Sequence, residues 1–99
     1  MEKQYKILIV DDDELASKII SKKLEKSGFN CVVSNDPQAA INMIGVDAVD
    51  LILLDILMPG MSGIEFLEIV RKKHSQVELP IIMATRMLSK RLSSVLTII

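Results

Sequence analysis

Three short apolar runs constrain what this chain can fold into: YKILIV at 5–10, VDLILL at 49–54 and PIIMAT at 80–85. Each is too short for a packed helix and too continuously apolar for a strand with one wet face, which suits strands buried on both faces of a sheet. A further run, FNCVVSN at 29–35, reads as another strand. Helical periodicity fills the gaps. From Asp13, the apolar positions Leu15, Ala16, Ile19, Ile20 and Leu24 recur at helical spacing, with Lys22, Lys23 and Lys26 toward the end and Gly28 as a stop. Asp36-Pro37 supplies an N-cap and a proline at the first helical position for a helix through Ile41 and Ile44 to Gly45. Ser62 and Glu65 form a capping box for a helix carrying Ile64, Phe66, Leu67 and Val70, closed by Arg71-Lys72-Lys73-His74. Strands alternating with helices at this spacing predict a doubly wound α/β fold with a parallel sheet.

The chain has 99 residues, 49% of them hydrophobic and 25% charged, which predicts a single domain spanning 1–99. No run reaches membrane-spanning length and the N-terminus has no signal-peptide pattern, so the expected location is cytoplasmic, with no membrane partner. One cysteine and one histidine make a zinc site untenable, and Cys31 reads as a small buried hydrophobe. The three aromatics, Tyr5, Phe29 and Phe66, do not interleave with a basic stripe, which argues against direct nucleic-acid binding. No Gly-rich phosphate loop follows the first strand.

Charge is unevenly placed. Residues 1–85 hold nine Lys/Arg and all thirteen Asp/Glu, whereas 86–99 hold only Arg86, Lys90 and Arg91. In that tail Leu88, Leu92, Val95, Leu96 and Ile99 fall at helical spacing, and we expect a helix there, although LTII alone has strand character.

The segment LILLDILMPGMSG, 51–63, ends an apolar run on Asp55, a costly position for a carboxylate unless something pairs with it. In an open α/β sheet, ligands bind beyond the carboxyl ends of the strands, where strand order reverses. Asp11, Asp12 and Asp55 all belong to that edge, whereas Asp13 is an N-cap or first-turn residue. At roughly 4 Å two carboxylates repel by about 4 kcal/mol at a surface-like dielectric, so the cluster calls for a cation. Oxygen-only ligands suit Mg²⁺. Thr85, a hydroxyl ending the fourth strand, stands in position to contact an anion on Asp55.

Together, ILIVDDDE, LLDILMPGMSG and PIIMAT resemble the receiver domain of two-component response regulators, over residues 5 to about 85. The resemblance implies a flavodoxin-like fold and a phospho-accepting Asp55, supplied by a sensor histidine kinase or phosphotransfer protein. It implies Mg²⁺ on Asp11, Asp12, Asp55 and the Leu57 backbone carbonyl, and a Thr85 that binds a phosphoryl oxygen and signals to a downstream protein or output domain. Such a protein is not a turnover enzyme, and the Asp55-Ile56-Leu57 stretch lacks the second acid expected of an aspartyl phosphohydrolase. Gly60 and Gly63 would permit a tight loop, stiffened by Pro59.

The pattern departs from the family after Thr85. Receivers carry a lysine at the end of a fifth strand and usually an aromatic shortly before it. Lys90 does not match that lysine, and Arg86 stands where the family favours a small residue. The sequence therefore predicts a sheet missing the fifth βα unit, with strand four an exposed edge, one face bare, and homo-oligomerisation through that edge or the tail. The alternative function is a non-switching receiver-like interaction module or a truncated receiver fragment.

Overall fold

A computed structural model of the chain describes residues 4–46, 48–55, 58, 60–84 and, in backbone, 96–98. The elements run β1 (Lys6–Val10), α1 (Glu14–Lys26), β2 (Asn30–Ser34), α2 (Pro37–Val46), β3 (Leu51–Asp55), α3 (Gly63–Arg71), β4 (Ile81–Ala84) and β5 (Leu96–Ile98). The sheet order is β2-β1-β3-β4-β5. The first four strands are parallel, and β5 pairs antiparallel with β4 through Ile82–Ile98, Met83–Thr97 and Ala84–Leu96.

The chain steps from β1 outward to β2, then back across β1 to β3. Right-handed crossovers on opposite sides of β1 place α1 on one face of the sheet and α2 on the other. The two-residue alternation of β1 serves both faces. Leu8 and Val10 join Ala40 of α2, Phe66 and Val70 of α3, and Ile52, Leu54, Ile81 and Met83 of the neighbouring strands in the main core. Ile7 and Ile9 point the other way and are also buried. On that second face α1 packs against β1 and β2, while Leu51, Leu53 and Ile82 stay half-buried.

The helix ends follow the expected chemistry. Asp13 caps α1 by accepting from the Ala16 N–H at 3.0 Å. Asp36 precedes Pro37 and accepts from the Gln38 N–H at 3.3 Å. Ser62 accepts from the Glu65 N–H at 3.2 Å, with its hydroxyl 3.4 Å from the Glu65 carboxylate. After α3, the Arg71 guanidinium donates to the carbonyls of His74, Ser75 and Leu79 at 3.2, 3.1 and 2.8 Å, binding the connection into β4.

Three expectations are corrected. Residues 96–98 form a strand, not part of a helix; the rest of the tail lies outside the described residues. Strand four is accordingly no open edge, because β5 pairs with its outer side. An unpaired edge leaves a row of N–H and C=O groups without partners, and a β-branched LTI segment satisfies them better than a helix can. Gly63 is the first residue of α3 rather than part of the tight loop; the positive φ is at Gly60, +83°. A Cβ at Gly60 would meet nothing within 4 Å, so its requirement is backbone conformation and not space.

Candidate functional site

The order reversal at β1 and β3 brings the expected acids together. Asp55 is the last residue of β3, and Asp11 and Asp12 follow β1 directly. Because Val10 and Leu54 are register partners, the three carboxylates leave the sheet at one level. One oxygen from each lies within 4.8 Å of the other two. Asp11 and Asp55 are only 5% and 4% exposed, and Asp12 is half-buried.

Local bonding holds this geometry. The Asp11 N–H donates to the Ser34 carbonyl at 3.2 Å, extending the β1–β2 ladder by one residue. One Asp11 side-chain oxygen, Oδ1, accepts from the Asp13 N–H at 2.9 Å, turning the chain into α1. Asp55 is set by β3, whose register with β4 places it beside Ala84. Thr85 is the next residue in sequence; it lies outside the described residues, as do Leu57, Pro59, Arg86 and Lys90.

Sequence reasoning missed two residues at this site. Asn35, just after β2, donates from Nδ2 to the Asp11 carbonyl at 2.7 Å and to the Ser17 hydroxyl at 3.2 Å. Ser17 is fully buried in α1, its hydroxyl shared between the Asp13 and Glu14 carbonyls at 2.9 and 3.0 Å. In the sequence, Asn35 only closes the strand run FNCVVSN ahead of the Asp36-Pro37 cap, and one small polar residue on a helix gives no signal of a contact across the fold.

The donor set fits a hard divalent cation. Three carboxylate oxygens within 4.8 Å of one another, one of them from the half-buried Asp12, form the oxygen-only set that Mg²⁺ takes together with retained waters. Cys31 offers no competing chemistry: it is half-buried, and burial, followed by the Glu25 charge, pushes its thiol up, away from the reactive thiolate.

The sequence profile of the response regulator receiver domain matches residues 7–95. This chain belongs to the response regulator receiver family. Among curated relatives of this receiver domain, the transcriptional regulatory protein CpxR of Escherichia coli K12 is 40% identical over 80 residues, 81% of this chain and 33% of the relative. The uncharacterized transcriptional regulatory protein YrkP of Bacillus subtilis is 38% identical over 68 residues, 69% of this chain and 29% of the relative. The chain thus spans about a third of the length of the curated relatives it matches. Among solved structures, the response regulator TrrA of Thermotoga maritima in complex with Mg²⁺-BeF superposes with a TM-score of 0.78 at 30% identity, covering 92% of this chain and 79% of that one. TrrA in complex with the histidine kinase ThkA gives a TM-score of 0.71 at 29% identity, covering 77% and 66%. The receiver is therefore part of two-component signalling, with the family's acidic cluster at Asp11, Asp12 and Asp55. Among the described residues, no helix is long and apolar enough to cross a membrane.

Proposed function

We propose that Asp55 is the phospho-acceptor of this receiver, loaded from the phosphohistidine of a sensor kinase or phosphotransfer protein, with Mg²⁺ held by Asp11, Asp12, Asp55 and the Leu57 carbonyl. The observation that carries this reading is the convergence of three strand-end carboxylate oxygens within 4.8 Å. Among them Asp55 stands at the end of the central strand β3 and is largely shielded from water. In the transfer, an Asp55 carboxylate oxygen attacks phosphorus, the P–N bond breaks with its electron pair returning to the imidazole nitrogen, and an acyl phosphate forms. When bound at these acids, Mg²⁺ would supply positive charge to offset that on the transferred phosphoryl group. Asp11 and Asp12 would hold the cation, while the β3 backbone sets the position of the Asp55 nucleophile.

Thr85 contacts a phosphoryl oxygen and couples the modified state to the face around β4, which presents it to a downstream protein or output domain. Leu15 and Ile19, exposed one turn apart on α1, the helix that follows Asp11 and Asp12 in the chain, supply apolar surface for the kinase. TrrA bound to the kinase ThkA supports that partner class. The chain accepts a phosphoryl group and does not turn over a substrate.

The test is intact mass after incubation with acetyl phosphate and Mg²⁺. One added phosphoryl group is expected in the wild type and none in Asp55→Asn. Labelling that persists in the variant moves the acceptor elsewhere, and a folded wild type that gains no mass supports a non-switching interaction module.

A further inference from the structure

The Asp11 carbonyl belongs to the peptide that joins Asp11 to Asp12, so the direction of that carbonyl fixes the plane from which the second acid departs. This peptide lies beyond the last β1–β2 ladder bond, which the Asp11 N–H makes to Ser34. What holds it there is a side chain: Nδ2 of Asn35 reaches back from the end of β2 to the carbonyl at 2.7 Å. The second Nδ2 hydrogen goes to the Ser17 hydroxyl at 3.2 Å. Because a backbone carbonyl only accepts, the amide must face it with its nitrogen, which settles the orientation of Asn35. Ser17 in turn is anchored on the Asp13 and Glu14 carbonyls inside the first turn of α1. The end of β2, the Asp11–Asp12 peptide and the start of α1 are thereby tied at one point.

We propose that Asn35 and Ser17 are positioning residues of the cation site: the Asn35 amide, braced on the buried Ser17 hydroxyl, locks the Asp11–Asp12 peptide so that both acids stay aimed at Asp55 against their mutual repulsion. The inference rests on the reading that these acids hold Mg²⁺. Asn35 touches neither cation nor phosphoryl group; it acts through the backbone of Asp11. Partners one bond removed from metal ligands commonly set their orientation, and their loss weakens metal binding by about ten- to a hundredfold. Because this link runs through a peptide rather than a ligand atom, we expect the lower end of that range.

The experiment is a Mg²⁺ titration of the amide chemical shifts of Asp11, Asp12 and Asp55 in the full chain. Wild type, Asn35→Ala, Ser17→Ala and the double variant are compared, each well below its own melting temperature. Asn35→Ala is expected to raise the Mg²⁺ Kd about tenfold. Ser17→Ala is expected to raise it less, and the double variant no further than Asn35→Ala alone, because both act through one chain of bonds. A purely structural role would lower melting temperatures and leave the affinity of the folded protein untouched. Wild-type affinity in Asn35→Ala overturns the inference and leaves the cation site standing. Losses that multiply in the double variant overturn the shared linkage. A wild type that binds no Mg²⁺ overturns the inference together with the cation site. Should the buried Ser17→Ala fail to fold, Asn35→Ala decides alone, since Asn35 is exposed.

Discussion

Asp12 is the acid whose removal separates charge from packing most cleanly, because Asp11 and Asp55 are buried and Asp12 is half-buried. At a separation near 4.8 Å each carboxylate pair repels by roughly 3–4 kcal/mol at an effective dielectric of about 20, an upper figure where solvent screens. Asp12→Asn removes two of the three pairs and keeps the shape. We expect its melting temperature in EDTA to rise above wild type, and the stabilisation that Mg²⁺ gives to shrink. Even 1 kcal/mol of relief is a shift of about 4–8 °C in a domain of this size. A fall in EDTA would mean that the Asp12 carboxylate is held by favourable local bonds rather than strained by its neighbours. The acids themselves were legible in the sequence, since a carboxylate that ends an apolar run announces a strand end. Asn35 was not, because a polar residue that ends the strand run FNCVVSN is equally compatible with a side chain that points to solvent.

At the scale of elements, the connection from α3 to β4 is held by two devices. Arg71 gathers three carbonyls, and Ser75 and Glu78 bond reciprocally: the Ser75 N–H donates to the Glu78 carboxylate and the Glu78 N–H to the Ser75 hydroxyl, both at 3.1 Å. The backbone bond from Ser75, with its hydroxyl next, holds the Glu78 carboxyl below its ordinary value of 4.5. A carboxyl depressed by folding contributes stability above its unfolded value and loses it as pH falls through the folded one. Thermal melts of Glu78→Gln should therefore show a shallower loss of stability than wild type as pH drops below 4.5, with little change in the shape of the profile at neutral pH. Parallel profiles would show that the turn does not depend on that charge. The capping residues of this and the other helices were readable because caps are local. The strand at 96–98 was not, because LTII satisfies helical and strand patterns alike and only the open side of β4 selects between them.

At the scale of the whole molecule, the described residues cover the two faces of the sheet unequally. One is sealed by α2 and α3 over Phe66, Leu8, Ile52, Leu54 and Ile81, all fully buried, while Leu51, Leu53 and Ile82 on the other remain half-buried. Among the described residues, the β4 edge is closed by the three of β5. Deleting residues 96–99 should bare that edge and raise the apparent mass in light scattering with increasing concentration, because an unpaired strand recruits another. A deletion variant that scatters like the full chain would show that β5 is dispensable for guarding the edge.

The sequence by itself determined the alternation of strands and helices, the helix caps and the acids at the strand ends, because apolar periodicity and capping act within a few residues. Only the tertiary structure decided which strands are neighbours and how near the three carboxylates come. It also decided that Asn35 reaches the Asp11 carbonyl and that the tail closes the sheet as a strand. These depend on groups far apart in the chain, whose proximity is set by sheet order and crossover handedness, and no local pattern of residues encodes a distance between them.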